Sequence, residues 1–402
     1  MAIPSLAMIP SGYKDGKIYS VLPTNGDGDF TFSRGSNATR VNKDGLIETV
    51  TGDTPRLDYT DSSCPSLLLE PQSSNLVDYS EDFSNSWWTK SGVTLTSNNA
   101  ISPDGSLNAS LLKGDGVNSF PRLQSTVSGS GQISFSVFVK KELSDEVTIY
   151  ISGTGIAGGG ETSSVFKYTF STDSLSIVSG GGVDSSESTS FPNDWVRLTL
   201  NYTTTTITGL RIYSKYASTS TDGVYIWGAQ LEQQSYATSY IPTNGAIATR
   251  LADVCTGAGT SDTFNDSEGV LYAEISALGN DGADREITVS DGTNSNRIVI
   301  GYNSSNQIVL AVLSSNSVQM LGTITSNISI NKKIAIKYKQ DSFSAYIDGI
   351  EVVSDVSGVT PIGLNEISFS RSDGNAKVYG KVKDVRYYNT ALTDAELQEL
   401  TS

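Results

Sequence analysis

The chain alternates between apolar and polar positions. Apolar residues recur at every second place through ISFSVFVKK, VTIYISG, WVRLTLNYT, LRIYSKY and VYIWGAQLE in the middle of the chain, and through VLYAEIS, REITVSD, RIVIGY, KIAIKY and FSAYIDG further on. A period of two over five to nine residues, bounded by Gly, Asn, Asp and Ser, predicts half-buried strands. One segment breaks the rule. In LTDAELQEL, near the C-terminus, Thr393 and Glu396 have the spacing of a capping box, and Leu397 and Leu400 share a helical face. The predicted class is therefore all-β: two antiparallel β-sandwich (jelly-roll) domains in series, closed by a short C-terminal helix.

Alternation also assigns faces. Ile133, Phe135, Val137 and Val139 point one way, with Val196, Leu198, Leu200, Tyr202, Leu210 and Ile212, and form a core set. Phe138, Lys140, Trp195, Arg197, Arg211, Tyr213 and Lys215 point the other way. Trp227 shares its parity with Tyr225, Ala229 and Leu231, which reads as an apolar stripe packed in the core. Trp87 and Trp88 are adjacent, so an extended segment sends one inward and leaves the other exposed or at an interface.

Three regions separate by composition. Residues 1–60 are rich in Gly, Asn and Asp and hold too few apolar positions for a core of their own. Residues 61–245 begin with an apolar strap around CPSLLLEPQSSNL and continue as the first sandwich. Residues 246–402 form the second, in which Asp348-Gly349 between alternating strands signals a type I′ hairpin. The string Pro-Thr-Asn-Gly followed by Ala-Thr-Arg occurs twice, at 23–26 with 38–40 and at 242–245 with 248–250. Either chance or a shared turn accounts for it.

Composition narrows the chemistry. The 402 residues carry 27 Lys+Arg against 43 Asp+Glu, a net charge of −16. A field of that sign disfavours nucleic acid and anionic membranes as partners. There is no histidine, which excludes Ser-His-Asp and Cys-His catalysis and His-ligated zinc. Two cysteines, Cys64 and Cys255, are too few for a disulfide framework; they are two free thiols or one long-range bridge. No apolar run approaches the roughly 20 residues of a membrane span. The start, MAIPSLAMIPSGYKDGK, lacks a basic lead and a long apolar run, so the expectation is a soluble chain made in the cytoplasm without an export signal of the usual kind.

Some stretches resemble known families. The hairpin KIAIKYKQDSFSAYIDGIEVV and the ending VKDVRYYNTALTDAELQEL resemble the laminin-G/concanavalin A-like lectin superfamily. NDWVRLTLNYT and DGVYIWGAQLEQQSYATSYIPT look like a jelly-roll carbohydrate-binding module. SRGSNATRVNKDGLIE, PRLDY and CPSLLLEPQSSNL resemble the start of tail-fibre or head-decorating proteins of tailed bacteriophages. These resemblances imply a virion-surface protein, a homotrimer attached through residues 1–60 to capsid or tail proteins, with glycan-facing sandwiches.

The residues themselves suggest where a glycan sits. Sugar rings stack on flat aromatic faces, and Arg or Lys pairs with acidic sugar substituents. The outward set Phe138, Trp195, Arg197, Arg211, Tyr213 and Lys215 is therefore the candidate glycan face, for a surface polysaccharide. Its alternatives are that the strands are not neighbours or that loops cover them. Calcium is the one cofactor candidate, through Asn280, Asp281 and Asp284, with Asp104 or Asp115 as further donors; plain turn chemistry explains the same residues. A glucanase-like enzyme needs paired carboxylates. Glu274 and Glu366 read as single acids on separate strands, and Glu161 follows a Gly-rich loop that lacks the G-K-[ST] of a phosphate loop. Three readings follow: a non-catalytic glycan-binding surface protein, a structural decoration protein making only protein contacts, and a polysaccharide depolymerase. The first is preferred.

Overall fold

The computed structural model describes residues 2–156 and 159–402. The chain divides into two compact units. One comprises Met1–Asn37, Val50–Pro71 and Leu251–Ser402; the other comprises Ala38–Thr49 and Gln72–Arg250. The all-β class and the short C-terminal helix are as expected, with every named strand pair antiparallel. The boundaries are not those expected: residues 1–60 form no separate region. Too poor in apolar residues to fold alone, they are shared: residues up to Asn37 and from Val50 onward join the C-terminal unit, and Ala38–Thr49 joins the other.

That unit is a sandwich. An eight-stranded sheet runs in the order Ile350–Asp355, Phe343–Ile347, Lys332–Lys339, Glu268–Ala277, Gly380–Tyr388, Ser66–Leu69 and Arg56–Asp58, with Leu6–Met8 also paired to Gly380–Tyr388. The supposed strap CPSLLLE thus holds a strand. A five-stranded sheet contains Ser317–Ile324, Ile308–Ser314, Arg297–Tyr302, Arg285–Ser290 and Glu366–Ser368. Leu271, Ile275, Ile334, Ile336, Val382 and Val385 of the first sheet share one core with Ile287, Val289, Ile298, Ile300, Leu310 and Val312 of the second. N-terminal Leu6, Met8, Phe30 and Phe32 join that core. A buried ion cluster ties the segments of this unit together: Arg56 meets Glu70 at 2.5 Å and also Asp253, which Arg34 reaches at 3.0 Å. Asp348 and Gly349 both have positive φ, 49° and 81°, as a type I′ turn requires. The helix Asp394–Thr401 starts at Thr393 with both halves of the capping box formed, and buries Leu397 and Leu400.

The other unit is built on one ten-stranded sheet. Its main path is Val93–Ile101, Leu107–Gly114, Gly223–Glu232, Arg122–Lys141, Trp195–Tyr213, Glu146–Ile156, Glu161–Thr169 and Ser174–Gly180. The two long neighbours Arg122–Lys141 and Trp195–Tyr213 slip register near Gly129 and Gly131, and Glu146–Ile156 slips at Gly153. Such bulges bend strands, so one continuous sheet can enclose its own core. The predicted inward residues Ile133, Phe135, Val137, Val139, Leu198, Leu200, Tyr202, Leu210 and Ile212 all lie in that core, and Val196 packs against it. Trp227 is buried in a core as expected, but not on the face of Ala229 and Leu231. A bulge between the partners of Ser136 and Phe138 shifts parity at Gly228, whose φ is 63°. Ala229 and Leu231 therefore face the main core, while Trp227 is buried in a second cluster on the opposite face. Cys64 is exposed and Cys255 buried, both as free thiols. Among the described residues no helix is long and apolar enough to cross a membrane.

Candidate functional site

The outer face of the ten-stranded sheet has two ends with opposite character. At the first, Phe138 and Trp195 are each 1% exposed and pack with Trp227, Tyr240, Ala109, Val41 and Ile47. Phe138 meets Phe191 edge-on at 5.1 Å and Trp227 at 5.3 Å. The Trp195 indole donates to the Ile101 carbonyl at 2.9 Å. The Arg197 guanidinium lies over the Phe138 ring at 5.4 Å and donates to Ser136 Oγ. Phe138 and Trp195 thus belong to a closed apolar cluster, and the half-buried Arg197 is engaged against it. A hairpin of the strands Ala38–Val41 and Ile47–Val50 supplies Val41 and Ile47 and takes Phe138 and Trp195 out of reach.

At the other end the face is open. The strands Thr89–Ser91, Arg122–Lys141, Trp195–Tyr213 and Glu146–Ile156 place Thr89, Gln124, Gly209 and Ser152 around a groove of about 430 Å³, within the size range of small-ligand sites. Trp87 stands on one side, and Arg211 forms part of the lining, with Ser125, Thr126 and Thr208. Sequence reasoning placed Arg211 on this face correctly. It did not choose Trp87, though the adjacent tryptophan pair was the signal.

The local sequence explains how Trp87 is presented. Trp88 is fully buried; its indole donates to the Tyr79 carbonyl at 2.8 Å, and its ring packs on Phe83 at 5.2 Å. Asn85 caps the turn by accepting from the Trp87 amide at 2.9 Å, and Lys90 Nζ donates to the carbonyls of Ser84 and Asn85. Burial lowers the pKa of that ammonium. Ser125 Oγ donates to the Trp87 carbonyl at 3.0 Å. Trp88 thus anchors a rigid turn from which the half-buried Trp87 ring, edge-on to Trp88 at 4.8 Å, faces the groove. The floor is shaped by Gly209, where a Cβ would sit 2.6 Å from Ser152 Oγ. The Arg211 guanidinium carbon lies over the Tyr150 ring, 4.3 Å from its centroid. A flat aromatic face, a fixed guanidinium and a rim of hydroxyls and one amide can hold a sugar ring and its substituents; no paired acid and base stands there for chemistry.

The remaining predicted residues fall elsewhere. Tyr213 is 2% exposed, edge-on to Tyr216 at 5.1 Å, and burial raises its pKa while Arg211 and Arg122 oppose the rise. It lies under the surface and offers no stacking face. Lys215 pairs with Asp222 at 3.6 Å.

The calcium loop does not fit a cation. Asp281 pairs with Arg285 and accepts from the Ala283 amide; Asp284 accepts from the Ser304 amide at 2.9 Å; Asn280 is exposed. Asp104 and Asp115 likewise accept from backbone amides of their own turns. Among the described residues no group of three or more His, Cys, Asp or Glu is placed to hold a metal.

Of the acids considered for catalysis, Glu274 is not alone. It lies opposite Asp384 across the strand pair and accepts from Asn331 at 2.7 Å. Burial raises the Asp384 pKa and the nearby Glu274 adds to it, but both Asp384 oxygens accept from Arg386, at 3.1 and 2.5 Å. Glu161 borders residues 157 and 158 of the Gly-rich loop, which lie outside the described residues.

Residues 271–398 match the laminin G model of the concanavalin A-like lectin/glucanases superfamily, so the C-terminal unit carries a lectin-like domain. Among curated proteins none matches the chain. Similar solved structures include the Ruminococcus gnavus IT-sialidase carbohydrate-binding module CBM40 bound to α2,3-sialyllactose, at 13% identity and a TM-score of 0.31, covering 37% of this chain and 94% of that one. Domain 4 of AbnA, an extracellular arabinanase from Geobacillus stearothermophilus, in complex with arabinotriose, is similar at 14% identity and 0.30, covering 41% and 82%. The NanB sialidase of Streptococcus pneumoniae is similar at 13% and 0.29, over 35% of this chain but 24% of that one.

Proposed function

We propose that this chain is a non-catalytic glycan-binding protein, and that the groove beside Trp87 is a binding site. The observation that carries the reading is a tryptophan, held by the anchored turn beside Trp88, lining a polar cleft kept open at Gly209. Recognition of this kind needs shape, stacking and hydrogen bonds and no reaction centre. The laminin G-like domain at 271–398 supports a glycan-facing role for the chain as a whole. The setting we infer is the virion surface of a tailed bacteriophage, with capsid or tail proteins as partners; its support is the resemblance of SRGSNATRVNKDGLIE and CPSLLLEPQSSNL to fibre and decoration proteins.

The test is to incubate the purified chain with host-surface polysaccharide and follow both by size-exclusion chromatography with mass detection. Polymer of unchanged length co-eluting with protein is expected. Shortened polymer contradicts the non-catalytic reading, and absence of any association moves the function to protein contacts alone.

A further inference from the structure

We propose that the Trp87 groove selects sugars that carry a carboxylate, with the anionic group held by Arg211 and Arg122 and the ring stacked on Trp87. This rests on the reading of the groove as the glycan site and adds the class of ligand.

The argument starts from charge. The chain has 43 Asp+Glu against 27 Lys+Arg, so a guanidinium finds a carboxylate easily. Arg40 meets Glu48, Arg297 meets Glu286 and Arg386 meets Asp384. Arg122 and Arg211, among the described residues, have no carboxylate within ion-pair distance. Nor is any acidic side chain among those lining the groove. In a strongly acidic protein this leaves a local site of the opposite sign, which attracts anions.

Geometry then brings the two cations together. Gln124 lies opposite Arg211, and Arg122 lies opposite Tyr213, on adjacent antiparallel strands. Arg211 lines the groove, and Arg122, just outside the lining, is its diagonal neighbour on the same face, within reach of one ligand group. Arg122 is steered by its Nε, which donates to Gln124 Oε1 at 2.8 Å, and by Nη1, which donates to the Phe120 carbonyl at 3.1 Å, leaving Nη2 for a ligand. Arg211 is held over Tyr150. Planar guanidiniums with restricted orientation match a planar carboxylate better than a neutral hydroxyl, and lose less rotamer freedom on binding. Of the nearby lysines, Lys90 spends its ammonium on two carbonyls and Lys215 pairs with Asp222.

The experiment compares polygalacturonate, hyaluronate and alginate, each beside its carboxyl-reduced form, by titration calorimetry with wild type, Arg211→Met, Arg122→Met and Trp87→Ala. Melting curves accompany each variant to show that it is folded. The expected result is that wild type binds at least one carboxylated polymer about 10- to 100-fold more tightly than its reduced form. Arg211→Met closes most of that gap, and added salt narrows it. Equal affinity for both forms, lost in Trp87→Ala, overturns the carboxylate preference and leaves the groove reading standing. Undiminished binding by folded Trp87→Ala overturns the groove reading itself. A preference that survives both arginine variants overturns their role, and no binding to any carboxylated polymer overturns the proposal.

Discussion

The same pair of strands presents two outward aromatic ends. At one, Phe138 and Trp195 lie on neighbouring strands beneath Val41, Ile47 and Tyr240. At the other, Gln124 and Arg211 sit directly opposite each other beside Trp87 and remain open. Both ends obey the alternation that sends their side chains away from the core. What separates them is a cover. The turn at 42–46 is organised by Asn42, whose Oδ1 accepts from the Asp44 and Leu46 amides, and the Ile47 amide donates to the Pro103 carbonyl. That hairpin lays apolar side chains on one end, whereas the other end is edged by hydroxyls and glycine. Outward register is thus necessary for a binding face and not sufficient for one.

The sharpest way to break this comparison is to truncate the two tryptophans. Trp195→Ala leaves a large cavity and an unpartnered Ile101 carbonyl, and destabilises its unit by about 3–5 kcal/mol. Trp87→Ala loses an edge-on ring contact and some half-buried area, with an effect of about 1 kcal/mol. Chemical denaturation of both variants measures the difference; equal losses contradict the assignment of one end as core and the other as site.

The glycines sharpen it further. Gly228→Ala puts a Cβ 2.9 Å from Phe138 Cδ2 at a φ of 63°, and lowers stability by roughly 1–3 kcal/mol. Gly209→Val meets mainly the Ser152 hydroxyl, which can turn aside, so it disturbs folding less and fills the groove instead. Glycan affinity of Gly209→Val therefore falls while its melting temperature stays nearer to wild type than that of Gly228→Ala.

How much of this was legible in the sequence depends on what each feature needs. The inward residues of the middle strands followed from a period of two, because each strand keeps one face on one core. Arg211 was placed on the correct face by the same rule. Trp227 is buried as the period implies, but on the other face, because a single bulge residue at Gly228 inverts parity, and nothing in VYIWGAQLE distinguishes a bulge glycine from an ordinary one. Phe138 and Trp195 were misread because their cover comes from residues 38–49, more than 80 positions away in the chain. The N-terminal residues lacked a core of their own, yet the sequence does not reveal that Leu6–Met8 pairs with Gly380–Tyr388. Trp87 was half legible: adjacency dictated that one tryptophan of the pair be less buried, while the groove beneath it depends on strands brought together by the fold.

The smallest expected effect concerns pH at the covered end. Glu81 accepts from the Tyr240 hydroxyl at 2.9 Å, and burial, chiefly, raises its pKa above the ordinary 4.5. The folded protein then holds that proton to higher pH than the unfolded chain does. Stability falls as pH rises from about 4.5 through the folded value and levels off above it. Glu81→Gln removes this slope, which denaturation midpoints across that window detect; an unchanged slope contradicts the assignment.

The most direct test of the central claim is calorimetric titration of a host-surface polysaccharide into wild type and Trp87→Ala, with a melting curve for each. The account predicts that Trp87→Ala stays folded and binds about tenfold or more weakly. A folded Trp87→Ala variant that binds as tightly as wild type contradicts it.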